Sequence, residues 1–294
     1  MLIVRLMGGL GNQLFQYAFS LWLQGRYKKK VWLDAQALSE NRHEPLLTQR
    51  EYSLHIFKMR PLICNQWHRA YFQQSRYWRL NALAAKLFDL SKYHCIEEND
   101  NFSADNLPEN ALLLGYWQDL RYVQGVETLL RRHLQFRHAL KGQALNWQRA
   151  IQAQQVPVAV HVRRGDYLKP HVAKELAPLP PAYYQQALQE VKERFENAFF
   201  YIFSDDTQWC QTFFTQMKFP CAIVPNNFEQ PFADFQLMTQ CRHFIIANST
   251  FSWWGAWLSQ APDKQVWSPK RWYAVEELNR IRRPKLVPSC WHSI

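Results

Sequence analysis

Short apolar runs and helical spacing alternate along the N-terminal segment. The run from Leu2 to Met7 predicts a buried strand that stops at Gly8-Gly9. The apolar residues that then recur at helical spacing are Leu14, Tyr17, Ala18, Leu21 and Trp22. Lys30–Asp34 predicts a second strand. Strand, glycine-rich loop, helix and strand in this order are typical of the start of an α/β unit.

The C-terminal half shows the same alternation more clearly. The predicted strands cover residues 156–163, 198–206, 221–226, 243–250 and 264–269. Helical patterns lie between them, at residues 180–195 and 232–241 and in the stretch "FSWWGAWL". Strands separated by helices predict a parallel, doubly wound sheet.

The middle of the chain, residues 35–154, has a weaker pattern. It contains one more predicted strand and turn at 109–119 and helical patches at 77–90 and 123–134. We therefore predict an N-terminal domain at residues 1–155 and a C-terminal domain at residues 156–294.

Polar residues follow the predicted strands of the C-terminal domain. In chain order they read "HVRRGD", "FSDD", "PNN" and "NST". The carboxyl ends of parallel strands meet at one edge of the sheet, and α/β proteins bind their ligands at that edge. The four motifs together therefore predict a single ligand-binding crevice.

The motif "HVRRGDY" has two interpretations. His161 and Arg163 share one face of a strand because strand side chains alternate, and Arg164 begins the loop. Two adjacent arginines beside Gly165 can hold a diphosphate, because one guanidinium group can donate two parallel hydrogen bonds to two phosphate oxygens. The alternative is a structural ion pair between Asp166 and one of the two arginines.

The stretch "NSTFSWWGAWL" joins a strand end to a helix start. A helix N-terminus carries unpaired N–H groups and a partial positive charge. Ser249, Thr250 and Ser252 can add hydroxyl donors, so this turn is a candidate phosphate site. Helix capping is the alternative role, and it needs only one such side chain. We expect the tryptophans that follow to pack the helix onto the sheet.

Two further motifs suggest other ligands. The acids of "FSDD" can bind Mg²⁺, but Asp205 and Asp206 are adjacent and lack the Asp-x-Asp spacing of metal-dependent sugar transferases. The loop "GGLGNQL" resembles a dinucleotide fingerprint that Asp34 would complete, but Leu14 stands where its third glycine should be. We therefore expect neither a bound metal nor NAD.

Composition narrows the class of partner. Among 294 residues, Lys plus Arg exceed Asp plus Glu by 35 to 24, which gives a net charge of +11. This charge favours nucleic acid, phosphorylated small molecules or an anionic membrane surface as partners, unless it serves only solubility. A nucleic-acid-binding module is the alternative from a different class, and the acids at the predicted strand ends argue against it because they repel a phosphate backbone.

Cysteine usage and apolar runs bear on the compartment. The six cysteines are scattered, without CxxC and without metal-like spacing to histidine. No run approaches the roughly twenty apolar residues of a membrane span, and the N-terminus lacks a signal-peptide pattern. We expect a cytoplasmic protein, for which the positive charge also permits peripheral contact with the anionic inner face of a membrane.

Four motifs together carry a family resemblance. "GGLGNQLFQYA", "HVRRGDY", "FSDD" and "DFQLMTQCRHFIIANSTFSWWGAWL" resemble the α-1,2-fucosyltransferases of glycosyltransferase family 11. The resemblance implies a GT-B fold, in which two Rossmann-like domains face each other across a cleft. It also implies inverting, metal-independent transfer of fucose from GDP-fucose to the 2-hydroxyl of a terminal β-galactose, on a glycan of the O-antigen type.

The same resemblance implies roles for residues of the C-terminal domain. Arg163 and Arg164 would bind the β-phosphate, with Arg163 essential for catalysis. Asp234 would hold guanine with the help of His161. The other donor-site residues would be Ser204, Asp205, Asn248, Ser249, Thr250, Phe251 and Ser252.

In the N-terminal domain, the resemblance implies that Asn12 faces the reacting centre and that its neighbours Gly11 and Gln13 contact the donor. Asp166 is the nearest candidate for a general base, and the alternative is that it only orients Arg164. No cofactor is implied, since GDP-fucose is the donor substrate. Alternatives within the same chemistry are another fucose linkage, such as α-1,6 or protein O-fucosylation, and GDP-mannose as the donor.

Overall fold

The computed structural model describes residues 1–36, 38, 50–65, 68 and 93–294. They form two compact units, Met1–Gln135 and Phe136–Ile294. The helical patch predicted at 77–90 lies outside the described residues. The observed division falls earlier than the predicted boundary at residue 155, because helix Gly142–Gln152 belongs to the second unit.

The first unit contains a four-stranded parallel sheet with the strand order β2-β1-β4-β3. β1 (Leu2–Arg5) pairs with β2 (Val31–Asp34) on one side and with β4 (Asn110–Leu114) on the other. β3 (Tyr93–Glu97) pairs with the outer side of β4. The first three residues of β1 are buried, as their apolar run predicts.

Helix Leu10–Tyr27 connects β1 to β2 and buries most of its length. It ends at Lys28, which adopts the left-handed conformation and donates its N–H to the carbonyl of Gln24 at 2.9 Å. The single helix predicted at 123–134 is two short helices, because the chain turns after Gln124. The remaining helices of this unit are Leu54–Ile56, which is a 3₁₀ turn, Leu120–Gln124 and Glu127–His133.

The second unit contains a six-stranded sheet with the order β10-β9-β8-β5-β6-β7, in which every neighbouring pair is parallel. The strands are β5 (Val156–Val162), β6 (Ala198–Ser204), β7 (Cys221–Ile223), β8 (His243–Ile245), β9 (Val266–Ser268) and β10 (His292–Ser293). The helices are Gly142–Gln152, Pro170–Ala173, Pro181–Arg194, Thr207–Thr215, Ala233–Met238, Thr250–Leu258 and Glu276–Leu286, with a 3₁₀ turn at Asp166–Leu168. The predicted α/β class and the parallel C-terminal sheet are confirmed.

The strand order creates a topological switch point between β5 and β8. From β5 the chain runs outward through β6 to β7, and it then returns to the other side of β5 and continues outward through β8, β9 and β10. The connections after β5 and β8 therefore leave in opposite directions and open a crevice at the carboxyl edge of the sheet. The residues that follow these two strands are the expected ligand-binding residues.

Tryptophans fill the core beside this switch point. Trp253 and Trp254, in helix Thr250–Leu258, are fully buried, and so is Trp267 in β9. The indole N–H of Trp253 donates to the carbonyl of Leu286 at 2.9 Å, so its polar atom is satisfied in the core. The packing role predicted for the tryptophans of this helix is confirmed for Trp253 and Trp254. No helix in the described ranges is long and apolar enough to cross a membrane.

Candidate active site

Arg163 is the first residue after β5, and two carboxylates hold its guanidinium group. Its Nη2 lies 2.6 Å from Oδ1 of Asp166, and its Nη1 lies 2.8 Å from Oδ2 of Asp205. About a fifth of the Arg163 side chain is exposed, at 22%. The guanidinium is thus fixed in orientation and remains partly open to a ligand.

Arg164 has a different set of partners. Its Nε lies 3.1 Å from Oδ2 of Asp206, and its backbone N–H donates to Oδ1 of Asp205 at 2.9 Å. Its guanidinium lies 4.3 Å from the ring centroid of Trp209, which is within cation–π distance. Of the two arginines considered as partners of Asp166, the carboxylate pairs with Arg163 and not with Arg164.

The backbone at Gly165 permits the close approach of Asp205. A Cβ atom at this position would lie 2.7 Å from Oδ2 of Asp205, closer than real Cβ contacts come. Any larger residue would therefore push away the carboxylate that holds Arg163. The close contact with Asp205 explains the glycine of "RRGD".

Two hydroxyl groups of the serine-threonine turn after β8, those of Ser249 and Ser252, form hydrogen bonds within the helix start. Ser249 caps helix Thr250–Leu258, since its side chain accepts the N–H of Phe251 at 3.3 Å. Ser252 is fully buried and donates to the carbonyl of Ser249 at 3.3 Å. The expectation that both hydroxyls face a phosphate is corrected for Ser252, whereas Thr250 is half-buried at the start of the helix.

Tyr167 links the arginine loop to this turn, and the sequence reasoning missed it. Its hydroxyl donates to the carbonyl of Asn248 at 3.0 Å, and the guanidinium of Arg163 lies 5.6 Å from its ring centroid. Burial raises the pKa of Tyr167, so its hydroxyl keeps its proton. The only signal in the sequence was its position directly after "RRGD".

Asn248, directly before Ser249, bonds this turn to two other segments of the second unit. It is 2% exposed, and its Nδ2 donates to the carbonyls of Ala177 and Trp272, each at 3.0 Å. Ser204 is also buried, and its Oγ accepts the N–H of Asp206 at 2.9 Å. Both residues were predicted to contact the donor, and in the structure both hold the backbone around the site.

His161 and Phe251 form an aromatic wall at the end of β5. Their ring centroids are 5.5 Å apart, and Phe251 also contacts Phe235 at 4.9 Å. Burial, and then the charge of Arg163, lower the pKa of His161 to about 3, so the imidazole is neutral. Its buried Nδ1 has no hydrogen-bond partner among the described residues.

Asp234 is the residue before Phe235, whose ring contacts Phe251 of this wall. Its carboxylate accepts the N–H of Phe235 at 2.8 Å. Burial raises the pKa of the Asp234 carboxyl to about 6, and the hydrogen bond from Phe235 opposes the shift. A carboxylate beside flat aromatic rings can bind the edge of a purine whose N–H groups point outward.

The predicted residues of the first unit lie where helix Leu10–Tyr27 begins. Asn12 is half-buried, and its Oδ1 accepts from Nε2 of Gln118 at 3.0 Å. Gln13 is fully buried. Its side-chain amide donates to the carbonyls of Gly8 and Glu51 and accepts the N–H of Ser53, so its polar atoms are satisfied within the protein. Gln13 therefore exposes no atom to a ligand and braces the loop. Gly11, also predicted as a donor contact, is buried in the first helical turn.

Arginines face both acids of the "FSDD" motif. Asp205 faces Arg163, and Asp206 faces Arg164 and also caps helix Thr207–Thr215 through the N–H of Trp209. Across the part of the chain that the structure describes, no cluster of three His, Cys, Asp or Glu residues could hold a metal ion. The arrangement offers guanidinium groups and helix amides to an anion.

Two α/β units, each with its own parallel sheet, are the architecture of the GT-B fold class. The crystal structure of NodZ α-1,6-fucosyltransferase, co-crystallised with GDP, matches this fold with a TM-score of 0.52 at 14% identity, covering 86% of this chain and 91% of that chain. The chain belongs to glycosyltransferase family 11, whose profile matches residues 1–283. The resemblance seen in the sequence motifs is thereby confirmed.

Two relatives from Escherichia coli extend over nearly the whole chain. The O-antigen biosynthesis glycosyltransferase WbnK is 29% identical over 303 residues, which cover 94% of this chain and 96% of WbnK. An α-1,2-colitosyltransferase is 29% identical over 294 residues, which cover 94% of each chain. The protein is thus a glycosyltransferase related to enzymes of O-antigen biosynthesis.

Proposed function

We propose that the protein transfers fucose from GDP-fucose to the 2-hydroxyl of a terminal β-galactose, with inversion and without a metal ion. The observation that carries this proposal is the pair Arg163 and Arg164, held by three carboxylates at the switch point of the sheet. A nucleoside diphosphate is the leaving group of such a transfer, and guanidinium groups are suited to its phosphate oxygens. The family and the α-1,2 linkage named for one relative support the proposal.

Stabilisation of the leaving group supplies most of the rate in this proposal. As the bond to fucose breaks, negative charge accumulates on the β-phosphate. Arg163, fixed by Asp166 and Asp205, and the N-terminus of helix Thr250–Leu258 stabilise that charge without first having to reorganise. The same two positive elements make a divalent cation unnecessary.

The guanine base occupies the aromatic wall in this proposal. The ionised carboxylate of Asp234 accepts the two N–H groups on one edge of guanine, and Phe251 and the neutral ring of His161 contact its face. Asp166 is already engaged with Arg163 at 2.6 Å, so it acts as a positioning residue. The acceptor hydroxyl then loses its proton late, without a dedicated strong base.

A transfer assay tests the function. Purified protein is incubated with GDP-fucose, EDTA and a small panel of β-galactosides, and the product linkage is read by NMR. We expect an α-1,2-linked fucoside and full activity in EDTA. Activity that disappears in EDTA and returns with Mg²⁺ would contradict the metal-independent part, and a different linkage would contradict the acceptor position.

A second donor has a specific observation in its favour. One relative that covers 94% of the chain is an α-1,2-colitosyltransferase. Colitose differs from fucose in lacking one ring hydroxyl, so the same phosphate and base contacts would serve both donors. A colitosyl donor in the same assay separates the two functions by the ratio of kcat/KM values.

The charge of +11 also supports peripheral contact with an anionic membrane, where lipid-linked acceptors are held.

The affinity for GDP-fucose is expected to fall at low pH, because Asp234 becomes protonated. Its pKa of about 6 means that the carboxylate is ionised at pH 7 and largely protonated at pH 5. If only the ionised form binds guanine, the Kd of GDP-fucose rises about tenfold over this interval. The measurement is calorimetric titration at several pH values, with GDP-fucose because its diphosphate does not titrate in this range.

The matched control for this prediction is Asp234→Asn. The variant should bind GDP-fucose more weakly at pH 7 and with the same Kd at pH 5 and pH 7. A wild-type Kd that does not change with pH would remove Asp234 from the guanine site. A variant that retains the full pH dependence would assign the titration to another group.

A further inference from the structure

The loop Gly115–Asp119 of the first unit leaves the carboxyl end of β4 in a fixed conformation. Oε2 of Glu98, which follows β3, accepts the N–H groups of Tyr116 at 2.7 Å and Trp117 at 2.9 Å. A Cβ atom at Gly115 would lie 2.4 Å from the Cβ of Glu98, so only glycine fits there. The loop is therefore bound to the end of the neighbouring strand by one carboxylate that accepts two backbone N–H groups.

A glutamine joins the same loop to the first helix. Gln16 is fully buried, and its Nε2 donates to the carbonyl of Gly115 at 2.9 Å. Its Oε1 accepts the N–H of Met7, just beyond β1, at 3.0 Å. The loop is thereby tied to β1 and to helix Leu10–Tyr27 as well as to β3.

Trp117 anchors the loop and turns the chain. It adopts a φ angle of 55°, in the left-handed region that a bulky side chain rarely enters. Its ring is fully buried, stacked on Phe19 at 4.1 Å and edge-on to Phe102 at 4.7 Å. Burial of the indole offsets the backbone strain, and such strained positions cluster at binding sites.

Beside this anchor, Tyr116 has the opposite environment. It is 45% exposed, which makes it one of the few large apolar side chains on the described surface. Two residues later, Gln118 bonds Asn12 of the first helical turn through the two side-chain amides, at 3.0 Å. One fixed loop thus presents an exposed aromatic ring and a pair of carboxamides at the carboxyl edge of β1 and β4.

An exposed aromatic ring beside carboxamide groups is suited to binding a pyranose. The C–H face of a sugar ring packs on an aromatic side chain, and carboxamides both donate to and accept from its hydroxyls. β-Galactose has an unbroken C–H patch on one face because its 4-hydroxyl is axial. A ring that is already fixed binds at a low cost in conformational entropy.

We propose that Tyr116 and Gln118, together with Asn12, form the platform that binds the terminal galactoside of the acceptor. This inference rests on the proposed function for the identity of the sugar, and it assigns acceptor recognition to a particular loop. Tyr116 contacts the sugar face, and Gln118 positions the carboxamide of Asn12. Because Tyr116 is assigned to the acceptor alone, its replacement should leave the Kd of GDP unchanged.

The first test is kinetic. With saturating GDP-fucose, Tyr116→Ala should raise the KM for a β-galactoside roughly tenfold or more, because the stacking surface is lost. Tyr116→Leu, which keeps apolar bulk but no flat ring, should be impaired to a similar degree. Tyr116→Phe should stay close to wild type, and Leu62→Ala, an exposed apolar residue of the same unit, serves as the surface control. The Kd of GDP should be the same in all four variants.

The second test does not need the donor. In saturation-transfer NMR with methyl β-galactoside alone, wild type should saturate the protons on the C–H face of the sugar, and Tyr116→Leu should lose this signal. An unchanged KM and an unchanged NMR signal in Tyr116→Ala and Tyr116→Leu would overturn the platform while leaving the transferase activity in place. Galactoside binding that depends on Tyr116, in a protein that does not use GDP-fucose, would support the platform and reject the proposed donor.

Discussion

Arg163→Ala is expected to lower the rate of sugar transfer by about a hundredfold or more. The guanidinium of Arg163 is the positive group that two carboxylates hold at the carboxyl end of β5. Its removal takes away the group that stabilises the leaving phosphate. It also leaves Asp166 and Asp205 without their counter-charge, and their negative charge then repels the diphosphate. The measurement is kcat and KM for GDP-fucose in the transfer assay, together with the Kd of GDP.

Arg163→Lys separates charge from geometry. A lysine carries the same charge and three N–H groups on a single nitrogen, so it cannot span the two positions from which Nη1 and Nη2 of Arg163 face Asp205 and Asp166. We expect it to recover part of the GDP affinity and little of kcat. Full activity in Arg163→Lys would mean that charge alone is sufficient.

The second unit contains a matched control for this prediction. Arg242 forms an ion pair with Asp263, and its backbone N–H donates to the carbonyl of Pro157, near the amino end of β5. Arg242→Ala therefore removes an arginine from an ion pair at the opposite edge of the same sheet. Its activity should remain at the wild-type level. If Arg163→Ala is folded and turns over at the wild-type rate, leaving-group stabilisation by this residue is wrong.

The position of the two arginines could be predicted from the sequence because it depends on strand order alone. A mostly apolar run followed by charges predicts a central strand and its carboxyl end, and β5 has this form, with His161 as its one polar residue. The identity of the ion-pair partners depends on register as well. In the structure Val162 lies opposite Ser204, so the residues that follow, Arg163 and Asp205, also come side by side. No local pattern contains that register.

Helix phase explains why the hydroxyls of the serine-threonine turn could not be assigned. Ser249 is the capping residue, and Ser252 comes three residues later, on the face that packs against the core. A shift of one residue in the helix start would have turned a different hydroxyl inward. Helix Gly142–Gln152 escaped prediction for a related reason, because only Ala144 and Ile151 of its residues are buried.

Residues whose side chains support loops are harder still to predict from the sequence. Trp117 has a buried ring and a left-handed backbone, and neither feature follows from its neighbours in the chain. Tyr167 stands in a motif whose charged residues indicate a phosphate site, whereas its own hydroxyl donates to the carbonyl of Asn248. Such contacts join segments far apart in sequence, so only the folded structure reveals them.

Asn279→Ala is expected to destabilise the second unit by about 3–5 kcal/mol. Oδ1 of Asn279 accepts the N–H groups of Trp272 at 2.7 Å and Tyr273 at 2.9 Å. Its Nδ2 donates to the carbonyls of Tyr273 at 2.7 Å and Val275 at 3.2 Å. The side chain is 7% exposed, so water cannot replace these four bonds when it is removed. The measurement is the free energy of unfolding from urea titration.

The effect should reach the candidate active site through Trp272. The carbonyl of Trp272 accepts from Asn248, which directly precedes the turn that caps helix Thr250–Leu258. Asn279→Ala should therefore weaken GDP binding even where the protein remains folded. Arg280→Ala, at the next position, removes only an exposed pair with Glu277 and should change neither the unfolding midpoint nor the Kd of GDP.

Asn279→Asp tests whether the donated bonds matter as much as the accepted ones. The aspartate keeps an oxygen for the two N–H groups, but it turns a second oxygen toward the carbonyls of Tyr273 and Val275. At pH 7 two acceptors then face each other, so the loss of stability should be at least as large as in Asn279→Ala. Protonation restores one donor, so the deficit of Asn279→Asp relative to wild type should shrink as the pH falls. A deficit that stays constant with pH, or an Asn279→Asp variant as stable as wild type, would show that these carbonyls do not depend on Asn279 for their hydrogen bonds.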